Sequence, residues 1–213
     1  MDISAFTKIE VTGPAQSLDA LVANRLPRKD GGIALTHILT EQGRIELELT
    51  IVKLGTDRFY LVCAAFFEQR LLDHLSRFAS DLHVNLCSNT TAALTLNGPR
   101  SRDVLSHLTT CDLSNAAFPW LTAQEITVAG VSLWAFRMSY AGELGWEFHI
   151  PRAHALHVYD TLWAAGMPYG IADYGSFAMN ALRMEKGFKG AGELTNEVTL
   201  AEADVLRFAR TDK

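Results

Sequence analysis

Three features of the sequence predict an α+β fold of two related lobes, each of mostly antiparallel strands with helices packed on them. In residues 45–51, Ile45, Leu47, Leu49 and Ile51 alternate with Glu46, Glu48 and Thr50. That is the period of a strand with one buried face. The period then changes: Phe67, Leu71, Leu75 and Phe78 recur at helical spacing, with Glu68, Arg70, Asp73 and Arg77 between them. Finally, a strand leading through Gly-Pro into a helix occurs twice, at Gly13-Pro14 and at Gly98-Pro99. Glycine permits the turn and proline is preset for a first helical turn. Two such units, each with hairpins nearby, point to related lobes and not to a βαβ series.

Taken in order, Val11 and Thr12 end a strand, and Leu18 and Val22 mark the helix after the first Gly-Pro. Residues 33–39 and 45–54 form a hairpin around Thr40-Glu41-Gln42-Gly43, and Asp57 turns the chain into a strand at 59–63. A helix follows from Phe66. Strands return at 84–86 and 92–96, and Val104, Leu105 and Leu108 give the next helix its apolar face. Residues 126–128 and 131–138 bend around Ala129-Gly130 as a second hairpin, 146–150 is a further strand, and 156–165 and 177–187 are helical. No linker or low-complexity stretch separates the lobes, which are placed at 1–90 and 91–213.

The composition narrows the function classes. Of 213 residues, 48% are hydrophobic, enough for a sizeable core and too many for a disordered chain. The longest apolar runs fall far short of the ~20 residues of a membrane-spanning helix. A formal charge of -5 leaves no electrostatic footprint for nucleic acid. The first residues show neither a basic-then-apolar leader nor an Arg-rich one, so a soluble, cytoplasmic protein is expected. Cys63, Cys87 and Cys111 lack CxxC spacing and read as reduced structural thiols. There is no GxGxxG, Walker loop, HExxH or GxSxG. His154 and His157 are three apart on a helix and could face a metal, but no carboxylate pattern accompanies them. Surface or capping histidines are the simpler reading, and no metal is expected. The four tryptophans and eleven phenylalanines would line either an aromatic pocket or, more simply, the core.

Two segments carry more. Residues 137–151 read RMSYAGELGWEFHIP, a strand entering a glycine turn and a second strand with Glu147 between Trp146 and Phe148. A carboxylate among aromatics is costly to bury without hydrogen bonds; on periodicity alone, Glu147 also reads as an outward-facing strand residue. Residues 174–188 read YGSFAMNALRMEKGF and place Arg183 within an apolar helical face, where an arginine should meet an anion.

Together these segments resemble the folate-binding aminomethyltransferase family, which includes the glycine cleavage T-protein. The similarity is greatest to the tetrahydrofolate-binding region of dimethylglycine and sarcosine dehydrogenases. SYAGELGWE at 139–147, AMNALRMEK at 178–186 and the GPxxRxVLxxLT pattern at 98–109 stand in the family's order, and residues 2–11 and 112–119 match as well. The resemblance spans essentially the whole chain and implies the aminomethyltransferase folate-binding fold.

The resemblance also implies roles. Glu147 matches the glutamate that binds the pterin ring, whose 2-amino and N3 groups are adjacent donors for one carboxylate. Tyr140 lies in the turn lining that pocket, and Arg183 matches an arginine near the ligand, where it would hold a carboxylate or order the pocket wall. Glu48 occupies the place of the family's catalytic aspartate, within GRIELELTI at 43–51; an acid there would take the proton lost as the folate amine attacks a one-carbon unit, and a solvent-facing glutamate like Glu46 is the other reading. The chain departs from the dehydrogenases at Gly190-Ala191-Gly192, where they carry Trp-Gly, and at residues 200–204, which replace a Pro-x-Glu-Ala-Gly stretch. By the same comparison the chain covers only part of the first lobe, and neither the C-terminal β-barrel nor the FAD domain has a counterpart in these 213 residues. Tetrahydrofolate, and not FAD, is therefore the expected cofactor. The implied activity is one-carbon transfer alongside a flavoprotein amine dehydrogenase or oxidase subunit. The alternative is a non-catalytic subunit or truncated paralogue of a sarcosine oxidase-type assembly, and either reading favours a partner or a homo-oligomer.

Overall fold

The computed structural model describes residues 1–210 and divides them into two compact units, residues 5–88 with 189–210 and residues 1–4 with 89–188. In the first unit, β1 (Thr7–Thr12), α1 (Ala15–Leu21), β2 (Ile33–Leu39), β3 (Ile45–Gly55), β4 (Arg58–Cys63), α2 (Glu68–Phe78) and β5 (His83–Leu86) follow in order. The five strands form one antiparallel sheet, β2-β3-β4-β1-β5. The alternation read from 45–51 is the one observed: Leu47, Leu49 and Ile51 are buried while the residues between them are half-buried. They join Ile9, Val11, Phe59 and Leu61 of the sheet, Leu71 and Leu75 of α2 and Leu18 of α1 in one core. Asp57 makes the expected turn at φ +52°, with its carbonyl and carboxylate accepting from the Gly13 and Ala15 amides at 2.9 and 3.2 Å.

Residues 189–210 belong to this unit, although the sequence boundary would group them with the second lobe. Leu194, Leu200, Ala203 and Val205 bury against Ile45 of β3 in a second cluster, and the Ile45 amide donates to the Val198 carbonyl at 3.0 Å. The apolar residues of this segment have no regular period, so nothing local in the sequence tells which sheet they cover.

The second unit holds β6 (Thr91–Asn97), α3 (Ser101–Ser106), β7 (Ala123–Val128), β8 (Val131–Phe136), β9 (Gly145–Pro151), α4 (Ala155–Gly166) and α5 (Ser176–Glu185). Its antiparallel sheet runs β6-β9-β8-β7. Residues 1–4 lie along β6, with the Ile3 amide donating to Ala93 and the Thr95 amide to Met1, each at 2.9 Å. Trp146, Phe148 and Ile150 of β9 are fully buried against Leu94, Leu96, Val104, Leu105, Val158 and Leu162. The strand–Gly-Pro–helix echo is thus real: β1 and β6 lead into α1 and α3 through Gly13 and Gly98, at φ +139° and +125°. No helix among the described residues is long and apolar enough to cross a membrane.

Candidate functional site

In β9, burial of Trp146, Phe148 and Ile150 sends Glu147 and His149 to the other face of the sheet. Glu147 stands opposite Thr95 of β6 on one side and Phe136 of β8 on the other. This face is not open to solvent as a simple outward-facing strand residue would require. The Glu147 side chain is 13% exposed, and Phe136, His149 and Thr95 are buried. The His149 ring stacks on Phe136 at 4.2 Å, and its Nε2 lies 4.0 Å from Glu147 Oε2, beyond hydrogen-bond reach. No hydrogen bond to the Glu147 carboxylate forms among the described residues, and burial pushes its pKa up to about 7.

Beside Glu147, the Tyr174 hydroxyl shares a hydrogen bond with Thr95 Oγ1 at 3.1 Å and accepts another from Asn97 Nδ2. On this face Thr95 stands across the strand pair from Glu147 and is tied to Tyr174, and His149 lies two residues along the strand. Sequence reasoning assigned none of them, because the register that joins β6 to β9 spans some fifty residues and leaves no local signal. The glycine that opens β9 has a steric reason: a Cβ on Gly145 would lie 2.8 Å from the Leu96 carbonyl and 2.1 Å from Asn97 Oδ1. This close approach is what lets β9 pair with β6.

Tyr140 lies in the turn between β8 and β9, 37% exposed, with its ring nearly parallel to Phe188 at 6.4 Å. Next to it, a cavity of about 300 Å³ is walled by Trp120, Arg137, Ser139, Gly142 and Phe188, and the buried Ser139 Oγ has no hydrogen-bond partner. A second cavity of the same unit, about 380 Å³, is walled by Arg100, Tyr159, Trp163, Tyr169 and Asp173, among others. Glu147 lines neither. Arg183 is buried on α5, and its guanidinium donates to Asn180 Oδ1 at 2.7 and 2.9 Å and to the Phe188 carbonyl at 2.7 Å. These bonds tie the end of α5 to the turn that carries Phe188, the ring facing Tyr140.

Glu48 belongs to the other unit. It is half-buried on β3, on the face opposite Leu47 and Leu49, and directly across from His37 of β2. Burial pushes its pKa up to about 7 as well. Glu46, two residues away, pairs instead with Arg70 at 3.2 Å, so the two strand glutamates differ in environment. His157 is a surface residue whose Nε2 donates to the Ala129 carbonyl at 2.9 Å, and no group of three metal-ligating side chains occurs among the described residues.

The model of the GCVT N-terminal domain matches residues 1–213. Mitochondrial dimethylglycine dehydrogenase of Mus musculus is 34% identical over 220 residues, covering all of this chain and 25% of that protein. The chain thus spans a quarter of the length of this relative. Among solved structures, glycine cleavage system aminomethyltransferase T from Bartonella henselae superposes with a TM-score of 0.84 at 23% identity, over 99% of this chain and 57% of that one. Heterotetrameric sarcosine oxidase from Corynebacterium sp. U-96 superposes with a TM-score of 0.65 at 20% identity, over 82% of this chain and 86% of that one. The family match over the full length, with these two folds beside it, makes the chain a member of the GCVT N-terminal domain family, an aminomethyltransferase-like domain related to the dimethylglycine and sarcosine dehydrogenases.

Proposed function

We propose that the chain is a tetrahydrofolate-binding one-carbon-transfer module that loads a methylene group onto the folate. The observation that carries this reading is the Glu147 carboxylate, 13% exposed and without a hydrogen bond from the described residues. A buried carboxylate with nothing to accept from is destabilising and calls for donors from a ligand. The adjacent 2-amino and N3 groups of a pterin supply two donors in the geometry one carboxylate accepts. Tyr140 offers a ring face beside this turn, and Arg183 orders the wall that bears Phe188. In this reading Glu48 receives the proton that the folate amine loses as its nitrogen attacks the one-carbon unit. A carboxyl whose pKa is near 7 suits proton uptake at neutral pH. The methylated amine would be oxidised by a separate flavoprotein, and a cytosolic location, in keeping with three cysteines that form no disulfide among the described residues, belongs to the same proposal.

Calorimetric titration with tetrahydrofolate tests the reading; no heat at millimolar ligand overturns it. Glu147→Gln is expected to weaken binding by about 1–3 kcal/mol through the lost charged hydrogen bonds. Because the ligand takes up the ionised form, affinity should rise with pH through about 7, and the Gln variant should lose that dependence. With formaldehyde as donor, Glu48→Ala should slow methylene transfer about 10²-fold or more.

A second reading, a non-catalytic subunit of a larger assembly, is favoured by the exposed apolar side chains of α5. Phe177 is 95% and Met184 55% exposed. Light scattering of the chain alone and with a flavoprotein amine oxidase subunit separates monomer, homo-oligomer and mixed complex.

A further inference from the structure

His37 has no part in the reading above, yet its position asks for one. In the β2–β3 register it is paired with Glu48, so both side chains rise from the same face of the sheet, with Cβ atoms about 4.5–5.5 Å apart. The flanking residues Ile38, Leu47 and Leu49 point the other way, into the main core. His37 is fully buried, its ring 6.5 Å from that of Phe208, and neither Nδ1 nor Nε2 has a hydrogen-bond partner. Glu48 likewise accepts no hydrogen bond and joins no ion pair among the described residues. Two facing polar groups, both lacking partners, are each other's nearest remedy.

Burial lowers the His37 pKa to about 4 and raises that of Glu48 to about 7. At neutral pH the imidazole is uncharged and offers one N–H donor. The other charged groups of this unit near the two strands are engaged elsewhere. Glu46 of β3 pairs with Arg70 of α2, Lys53 of β3 with Asp30, and Arg58 of β4 with Glu10 of β1. Lys8 of β1 donates to the Phe6 carbonyl, Arg207 lies over the Phe208 ring, and Arg210 pairs with Asp19.

We propose that His37 is the positioning residue for Glu48: its N–H donates to one carboxylate oxygen and leaves the other free to take the proton from the attacking amine. Rotation of the Glu48 side chain about its own bonds closes the gap. As the folate nitrogen bonds to the formaldehyde carbon, the C=O π pair moves onto oxygen, the nitrogen's proton passes to the free Glu48 oxygen, Glu48 returns it to the new alkoxide, and His37 keeps its own proton throughout. The inference rests on the reading of Glu48 as the acid–base group, and its test is arranged to fail separately.

In ligand-free protein carrying ¹³C-labelled glutamate, the Glu48 carboxyl is titrated by NMR in the wild type, His37→Leu and His37→Gln. A donor to the carboxylate lowers its pKa, so His37→Leu should move the Glu48 titration up by about one unit, and His37→Gln, which keeps an N–H donor, should restore most of it. In the formaldehyde assay the acidic limb of the kcat profile should shift the same way, with kcat at pH 7 about fivefold lower in His37→Leu and the KM for tetrahydrofolate little changed. A Glu48 titration unmoved by His37→Leu, or equal behaviour of Leu and Gln, overturns the proposal. Should His37→Leu fail to fold, the reverse measurement decides: Glu48→Gln must shift the His37 ring ¹⁵N resonances, and unchanged resonances overturn the pairing. A wild type that neither binds folate nor transfers methylene overturns the functional reading, whatever the titration shows.

Discussion

Glu48 and Glu147 are carboxylates of similar character in different units, each half-buried beside an imidazole and each raised to about pKa 7 by burial. Such a group opposes folding as it ionises. The folded chain holds its proton while the unfolded chain has lost it, so stability falls as pH rises from about 4.5 through about 7. His37 acts in the opposite sense: lowered to about 4, it makes stability fall as pH drops below the ordinary histidine value of 6.5. Between pH 4.5 and 6.5 the two glutamates outweigh the single histidine, and these three groups together make the chain less stable with rising pH. Glu147→Gln removes one of the two opposing charges. Relative to wild type it should gain on the order of 2 kcal/mol between pH 5 and pH 8, read as urea midpoints at the two pH values. Equal midpoint differences at both would show that Glu147 is better solvated than its 13% exposure implies.

At the scale of the element, α5 is held by its last turn. Arg183 donates within the helix to Asn180 and across its end to the Phe188 carbonyl, and the Phe188 amide returns to the Arg183 carbonyl at 3.0 Å. The side chain therefore clips the end of the helix to the turn that follows it, while the Arg183 carbonyl is satisfied by the Lys186 and Phe188 amides. Arg183→Ala should cost about 1–3 kcal/mol and speed amide exchange at 186–188, with less effect near Ser176. Arg183→Lys should recover only part of this, because one ammonium does not reproduce the forked geometry of a guanidinium. The sequence had marked Arg183 as a residue in need of an anion. Its partners among these bonds are neutral oxygens of its own helix and turn, which a helical periodicity has no means of showing.

At the scale of the whole molecule, the chain is two units with separate cores, and the first is completed by residues that come after the second. Leu194 is fully buried against Ile45 in that returning segment. Leu194→Ala should cost about 2–5 kcal/mol, as cavities in well-packed clusters do. In hydrogen exchange the loss should show first in β2 and β3. A chain cut after Phe188 should lose protection there still more strongly; full protection in the shortened chain would mean that Ile45 needs no cover from residues 189–210.

The order of amino acids already carried the class of fold, the two lobes and their hairpins, and the repeated strand–Gly-Pro–helix unit. These depend on local periods of two and 3.6 residues, which side-chain burial imposes directly. It also determined the family, because residues 98–109, 139–147 and 178–186 occur in one order along the chain. The environment of the acids came from packing between distant segments. An alternating glutamate reads the same whether its face meets water or protein, so the difference between Glu46, paired with Arg70, and Glu48, facing His37, had no signal in the strand. The same holds for Thr95 and Tyr174 beside Glu147 and for residues 189–210 over Ile45. Each of these contacts joins residues from separate segments of the chain. Their energy comes from register and packing across that separation, and no short window of sequence contains both partners.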